Sequence, residues 1–226
     1  MRWLYLHGFA SGPGSTKGVA VAEHVRRTRD VLVERLDLRV PSFAHLRGST
    51  MIEHVEQTLG GQPGLLIGSS LGGWAALRVA ERNPNVRAVV LLAPAIGLAH
   101  AWKARLPNAV EGWRRTGWLP VADHALGGIS RVDIGFLDDI DAVDAMGDPQ
   151  VSAPVLLIHG RQDEVLPIDG SRRWASGRAN VRMIEVDDGH QLTDSIPTIL
   201  TDIDAFVDSL AHDATSTLPP APHARP

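Results

Sequence analysis

One five-residue stretch constrains this chain more than any other. Gly68-Ser69-Ser70-Leu71-Gly72 follows directly on an apolar run, residues 64–67, and leads straight into an amphipathic one, Leu71–Arg82. A strand that becomes a helix with no loop between them must turn through one sharp, strained corner, and glycines on both sides let neighbouring backbone pass without Cβ clashes. Ser70 sits at that corner with its hydroxyl projecting above the sheet, whereas Ser69 holds a flanking position. The helix start supplies unpaired N–H groups and a partial positive charge, a favourable place for developing negative charge. A Gly- and Ser-rich turn is also common packing punctuation, so the rest of the chain decides its meaning.

Around this turn, short apolar runs alternate with longer amphipathic stretches, the pattern of strands joined by crossover helices in a mostly parallel sheet. Strands are predicted over residues 3–6, 31–36, 64–67, 88–92 and 155–158, with a more exposed sixth over 182–186 near the sheet edge. Leu65-Leu66-Ile67, Val89-Val90-Leu91-Leu92 and Val155-Leu156-Leu157-Ile158 are unbroken apolar runs and mark central strands buried on both faces. Helices are predicted over 16–27, 50–59, 71–82, 170–177 and 195–210, the third ended by Asn83-Pro84. Residues 95–149 separate two adjacent strands by far more chain than such a connection needs, which makes them an insertion, or cap, between core segments 1–94 and 150–210. It carries Trp102, Trp113, Trp118 and the acidic run Asp138-Asp139-Ile140-Asp141. Residues 211–226, Pro- and Ala-rich toward the end, are expected to form a flexible tail.

Composition removes several chemistries. The 226 residues contain no cysteine, so disulfides, thiolate nucleophiles, zinc ribbons and iron–sulfur clusters are excluded and any nucleophile is an oxygen or nitrogen group. A net charge of −4 with no basic run argues against nucleic acid as a partner. No window approaches the ~18 apolar residues a membrane helix needs, and the opening Met1-Arg2-Trp3-Leu4-Tyr5-Leu6-His7-Gly8 is too short for a secretory signal. A cytoplasmic location without membrane insertion is the expectation.

The remaining chemistry gathers at predicted carboxyl ends of strands, where open α/β sheets place their ligands. His7-Gly8-Phe9-Ala10-Ser11-Gly12 follows the first strand. The backbone N–H of Phe9, with that of Leu71 after the serine, is the candidate oxyanion hole, and His7 is read as orienting the loop through its ring nitrogens. The same loop continues through Gly12-Pro13-Gly14-Ser15-Thr16-Lys17, the ingredients of a phosphate loop in the wrong order, because Lys follows the hydroxyls; nucleotide binding is not expected. Asp163 lies in the turn His159-Gly160-Arg161-Gln162-Asp163-Glu164 after the 155–158 strand, where a fixed carboxylate could orient a histidine. Glu164 is its nearest competitor, Asp138 and Asp139 weaker ones, and an Asp that only bonds its own turn is the plain alternative. His190, in Asp187-Asp188-Gly189-His190, follows the last strand, as no other histidine does. No metal-ligand spacing such as H-E-x-x-H occurs, and neither a metal nor another cofactor is expected.

Taken as a set, the strand and His-Gly loop, the G-x-S-x-G turn, the H-G-x-x-D-x-x-x-P turn and the late Gly-His resemble the α/β-hydrolase superfamily over residues 3–192. The chain order Ser70, Asp163, His190 is the one found there. The opening Tyr5-Leu6-His7-Gly8-Phe9-Ala10-Ser11-Gly12-Pro13-Gly14-Ser15-Thr16-Lys17 is similar to the small YqiA-type bacterial serine esterases, and Asp187-Asp188-Gly189-His190-Gln191-Leu192 to a branch containing acyl-glucuronide esterases and protein depalmitoylases. The resemblance implies a three-layer fold of about six strands with a small cap, a Ser70-His190-Asp163 triad, and cofactor-free hydrolysis of a small-molecule carboxylic ester or thioester. It departs from larger members in lacking the opening antiparallel strands, and from minimal YqiA-type enzymes in its longer insertion. The same triad would serve a C–C bond hydrolase, an acyltransferase or a peptidase, and a receptor that no longer turns over could keep the fold. Epoxide and haloalkane hydrolysis are disfavoured because position 70 is not aspartate. The cap tryptophans Trp102, Trp113 and Trp118 are candidates to line an acyl or aromatic pocket, against the alternative that they pack the cap's own core.

Overall fold

The computed structural model describes residues 1–216. In chain order the core begins with β1 (Arg2–Leu6), α1 (Thr16–Arg29), β2 (Val33–Leu36), a 3-10 turn (Phe43–His45), α2 (Gly48–Leu59), β3 (Gly64–Ser69), α3 (Leu71–Arg82) and β4 (Val86–Leu92). The insertion follows with α4 (Leu98–Arg105), α5 (Pro107–Thr116), β5 (Trp118–Ala122), β6 (Ile129–Asp133) and α6 (Gly135–Asp144). The chain returns to the sheet through β7 (Val155–Gly160), α7 (Asp169–Ala175), β8 (Val181–Val186) and α8 (Ile196–Ser216). The main sheet has six strands in the order β2-β1-β3-β4-β7-β8, and every pairing in it is parallel.

The central strands are apolar throughout because each alternates between two buried faces. Leu4, Leu6, Leu66, Val89, Leu91, Val155 and Leu157 pack toward α2, α3 and the cap. Their neighbours Trp3, Tyr5, Leu65, Ile67, Val90, Leu156 and Ile158 pack on the other side against Val21 and Val25 of α1 and Ile199, Ile203 and Phe206 of α8. The result is the expected three-layer arrangement of helix, sheet and helix.

Several boundaries differ from expectation for identifiable reasons. The second strand starts at Val33, where pairing with Trp3 begins, and Leu32 before it is 74% exposed. α2 starts two residues before the predicted 50, at Gly48, which is packed so closely that a Cβ there would lie 2.5 Å from both Ile140 and Trp74. The predicted tail from 211 is corrected in part: residues 211–216 continue α8, while 217–226, the remainder of that expectation, lie outside the described residues.

The insertion is fastened to the core by its own carboxylates. Asp139 accepts from the N–H and Oγ of Ser49 at 2.8 and 2.7 Å, and Asp144 accepts from the indole of Trp74 at 2.8 Å, while Asp138 pairs with Arg114 within the insertion itself. Asp123 is gripped hardest, by Arg39 at 2.7 and 3.2 Å, by Ser130 and by the N–H groups of Ala125 and Leu126. Burial works against its charge, but those donors outweigh burial and hold the carboxyl at about 2. A carboxyl held below its unfolded value of ~3.9 adds stability above that pH and loses it as the pH falls toward the folded value. Asp123→Asn is therefore expected to lower the urea unfolding midpoint at pH 7 and to flatten its decline between about pH 4 and 2, read by circular dichroism.

Candidate active site

The Gly68–Gly72 turn has the strain its sequence demands. Ser70 holds φ 52° and ψ −115°, a conformation an L-residue adopts at a cost of about 1–3 kcal/mol unless its surroundings enforce it. They do so here: its N–H donates to Leu92 O at 2.9 Å, and its carbonyl accepts from Gly73, Trp74 and Ala95 at 2.9–3.1 Å. A Cβ at Gly68 would lie 2.4 Å from Gly72 O, and one at Gly72 only 2.1 Å from Leu6 O, so both glycines are there for lack of space.

The structure brings Ser70, His190 and Asp163 together. His190 Nε2 lies 3.1 Å from Ser70 Oγ, and its Nδ1 lies 2.8 Å from Asp163 Oδ2. β7 ends against the histidine loop so closely that a Cβ at Gly160 would sit 2.2 Å from Asp188 O. Glu164, the rival acid, instead accepts the backbone N–H of His190 at 3.2 Å and so props the loop. Asp138 pairs with Arg114 inside the cap, and Asp139 ties the cap to Ser49.

Asp163 Oδ1 accepts from the N–H groups of Val165 and Leu166 at 2.9 and 2.6 Å, while Oδ2 takes both His190 Nδ1 and, at 3.0 Å, His159 Nε2. His159 Nε2 also faces Leu166 O, a second acceptor, so that nitrogen carries the proton, and its Nδ1 meets Ser171 Oγ at 2.8 Å. Burial raises the cost of charge on Asp163, but His159, His190 and Leu166 overcome it and keep the carboxyl well below the usual carboxylate range. Sequence reasoning gave His159 no role; the signal available was its place four residues before the acid in the same turn.

His7 Nε2 accepts the N–H of Leu38 at 3.0 Å and its Nδ1 lies 2.9 Å from Gly8 O. With Nε2 accepting, Nδ1 carries the hydrogen, and burial favours this neutral ring by pushing the imidazole below its ordinary value. His7 thus ties the loop after β1 to the segment after β2. Gly8 lies against the serine, where a Cβ would be 3.3 Å from Ser70 Cβ, so the loop that carries Phe9 passes the same corner at which Leu71 opens α3.

These residues open into a cavity of about 920 Å³ whose walls include Phe9, Ser70, Leu71, Leu98, Trp102, Val121, Leu126, Val165, Leu166 and His190. Of the three cap tryptophans, only Trp102 is on this wall. Trp113 is buried in the cap and donates its indole N–H to Val132 O at 3.0 Å; Trp118 lies against His45 and under Arg131. Their expected place in the pocket is corrected: both serve cap packing and anchoring. Phe9 stacks on Phe136 and meets Trp102 edge-on at a centroid separation of 5.4 Å, so the loop carrying an oxyanion-hole candidate is also the floor of the cap. Among the described residues no cluster of three or more His, Asp or Glu is arranged to hold a metal, and no helix is long and apolar enough to cross a membrane.

A serine after β3, an acid after β7 and a histidine after β8 on a parallel, helix-flanked sheet make this an α/β-hydrolase fold. Solved structures share it. Alpha/beta hydrolase domain-containing protein 10 from mouse superposes with a TM-score of 0.77 at 24% identity, covering 92% of this chain and 89% of that one. Est1E from Butyrivibrio proteoclasticus, with ferulic acid bound, gives 0.71 at 18% identity, covering 92% and 88%. Within that class, the chain belongs to the family described as Uncharacterised protein family (UPF0227), which it matches over residues 2–208. It is also similar to palmitoyl-protein thioesterase ABHD10, mitochondrial: 32% identical over 111 residues to the mouse protein and 24% over 176 residues to the human one, covering 46% and 73% of this chain. The chain spans 37% and 57% of those relatives' lengths, less than two thirds of either.

Proposed function

We propose that this protein hydrolyses carboxylic esters or thioesters through an acyl-enzyme on Ser70. The observation that carries the reading is the unbroken relay from Ser70 Oγ through His190 to Asp163, at 3.1 and 2.8 Å, at the wall of one large cavity. In this mechanism Oγ attacks the acyl carbon as its proton passes to His190 Nε2, and the carbonyl oxygen takes the negative charge between the N–H groups of Phe9 and Leu71. Collapse breaks the C–O or C–S bond, and His190 returns the proton to the departing atom. Water then repeats the sequence on the acyl-enzyme and releases the acid. Asp163 keeps His190 in the Nδ1–H tautomer and stabilises the imidazolium. The name borne by the ABHD10 relatives, a palmitoyl-protein thioesterase, supports acyl transfer, and the aromatic wall around Trp102 favours medium-chain or aromatic acyl groups.

A fluorophosphonate probe tests the nucleophile: mass spectrometry is expected to find it on Ser70, and a folded protein that neither takes the label nor hydrolyses any member of a nitrophenyl ester and acyl thioester series overturns the reading. In the same series, Trp102→Ala is expected to lower kcat/KM for aromatic and medium-chain substrates by about tenfold and for acetyl esters by much less, since a hydrophobic wall discriminates by contact area.

A further inference from the structure

The stretch Gly12 to Lys17 has no task in the reaction just described, yet all of it lies on the wall of the Ser70 cavity. It leads into α1, a helix of 14 residues whose N-cap, Ser15, makes no side-chain capping bond and whose first turn holds no acidic residue. The positive end of that helix therefore meets the cavity without a counter-charge from its own first turn.

The polar groups beside it are loosely partnered. Tyr5 is 1% exposed and on the same wall; its hydroxyl lies near those of Ser15 and Ser69, but neither it nor the buried Oγ of Ser15 makes a hydrogen bond of good geometry among the described residues. A Cβ at Gly18 would fall 2.7 Å from the Tyr5 ring and 2.8 Å from Ser15 Oγ, so the glycine lets the two come together. Leaving such groups unpaired is costly, and buried examples call for an explanation. Lys17 donates to Gln191 O at 2.6 Å, using one of its three N–H groups; burial brings its amine down to about 8 against the pull of the Asp188 and Asp163 carboxylates, neither of which is close enough to form an ion pair with it. Arg39, the other fixed cation on the wall, is already neutralised by Asp123, and Oδ1 of the wall carboxylate Asp37 is taken by the Arg39 N–H at 2.9 Å.

We propose that Lys17, the hydroxyls of Ser15 and Tyr5 and the N-terminus of α1 form an anion subsite of the Ser70 cavity, which takes a carboxylate or phosphate group carried by the substrate. This deepens the hydrolytic reading and rests on it. The substrate is then an acyl compound with an anionic group several bonds from the scissile carbonyl, held by charge-assisted hydrogen bonds while the acyl carbon faces Ser70.

The test compares substrates of one shape that differ in charge. 4-Acetoxybenzoate is paired with 4-acetoxybenzamide, and mono-4-nitrophenyl succinate with its neutral succinamate, to place the charge on the alcohol or the acyl side; 4-acetoxyphenyl phosphate separates phosphate from carboxylate. The wild-type ratio of kcat/KM, anionic over neutral, is expected to exceed that of Lys17→Met by about tenfold or more in at least one pair. Tyr5→Phe is expected to lower the same ratio while leaving Tm unchanged or higher, because it removes a buried hydroxyl that makes no hydrogen bond of good geometry. Equal losses on charged and neutral esters in Lys17→Met would make Lys17 only a tether of the histidine loop and overturn the subsite, with hydrolysis itself intact. If the wild-type protein hydrolyses none of these, the hydrolytic reading fails by itself, and calorimetry with benzoate and benzamide decides the subsite. Benzoate binding that is lost in Lys17→Met supports it, and no preference for benzoate overturns it.

Discussion

Ser70→Ala is expected to lower kcat for a simple ester by about a million-fold, the loss expected when a nucleophile that acts as one unit with its base is removed. A residual rate of about a thousandfold over water is expected from the oxyanion hole and substrate binding alone. The backbone offers an internal control. Alanine keeps a Cβ at φ 52° and ψ −115°, so the corner stays strained, whereas Ser70→Gly relieves it. Both variants should therefore be equally inactive, with Ser70→Gly the more stable by about 1 kcal/mol or more in urea unfolding. A corner shaped only for packing would have no reason to keep a side chain at this cost. An alanine variant with the parent rate would remove Ser70 from the chemistry.

The sheet was readable wherever burial leaves one option. Leu65-Leu66-Ile67 and Val155-Leu156-Leu157-Ile158 are apolar on both faces, and they are inner strands. The site was readable where a backbone demand fixes residue type, as with Gly68 and Gly72, which have no room for a Cβ. Elsewhere the determining partner is distant in sequence. Position 48 has room only for glycine because Trp74 and Ile140 converge on it, and Trp118 lies outside the pocket because an indole's direction depends on His45 and Arg131, which local pattern does not reveal. His159 and Lys17 escaped for a related reason. Each lies inside a segment whose motif was noticed, but their roles come from contacts with Asp163 and Gln191 that only the folded chain makes.

Asp163→Asn is expected to lower kcat/KM by about ten-thousandfold with the fold retained. The argument runs through proton bookkeeping. Oδ1 receives the N–H groups of Val165 and Leu166, so in the variant that position must remain an oxygen and the amide nitrogen must take the place of Oδ2. A donor then faces His190 Nδ1 where an acceptor stood, which drives the imidazole to the Nε2–H tautomer. That nitrogen, 3.1 Å from Ser70 Oγ, can no longer accept the serine proton. His159 cannot adapt either, because its Nε2 hydrogen is also needed by Leu166 O. Labelling of Ser70 by a fluorophosphonate should slow in parallel with turnover, since both require the same proton transfer. Stability supplies a second, independent readout. Asp163 is held below the usual carboxylate range, so its contribution is present above about pH 4 and is lost as the pH falls through its folded value. The asparagine variant should be less stable at pH 7 and lose less on acidification. A variant that keeps the wild-type rate while showing this change in pH dependence would make Asp163 a structural anchor of the turn and exclude it from catalysis.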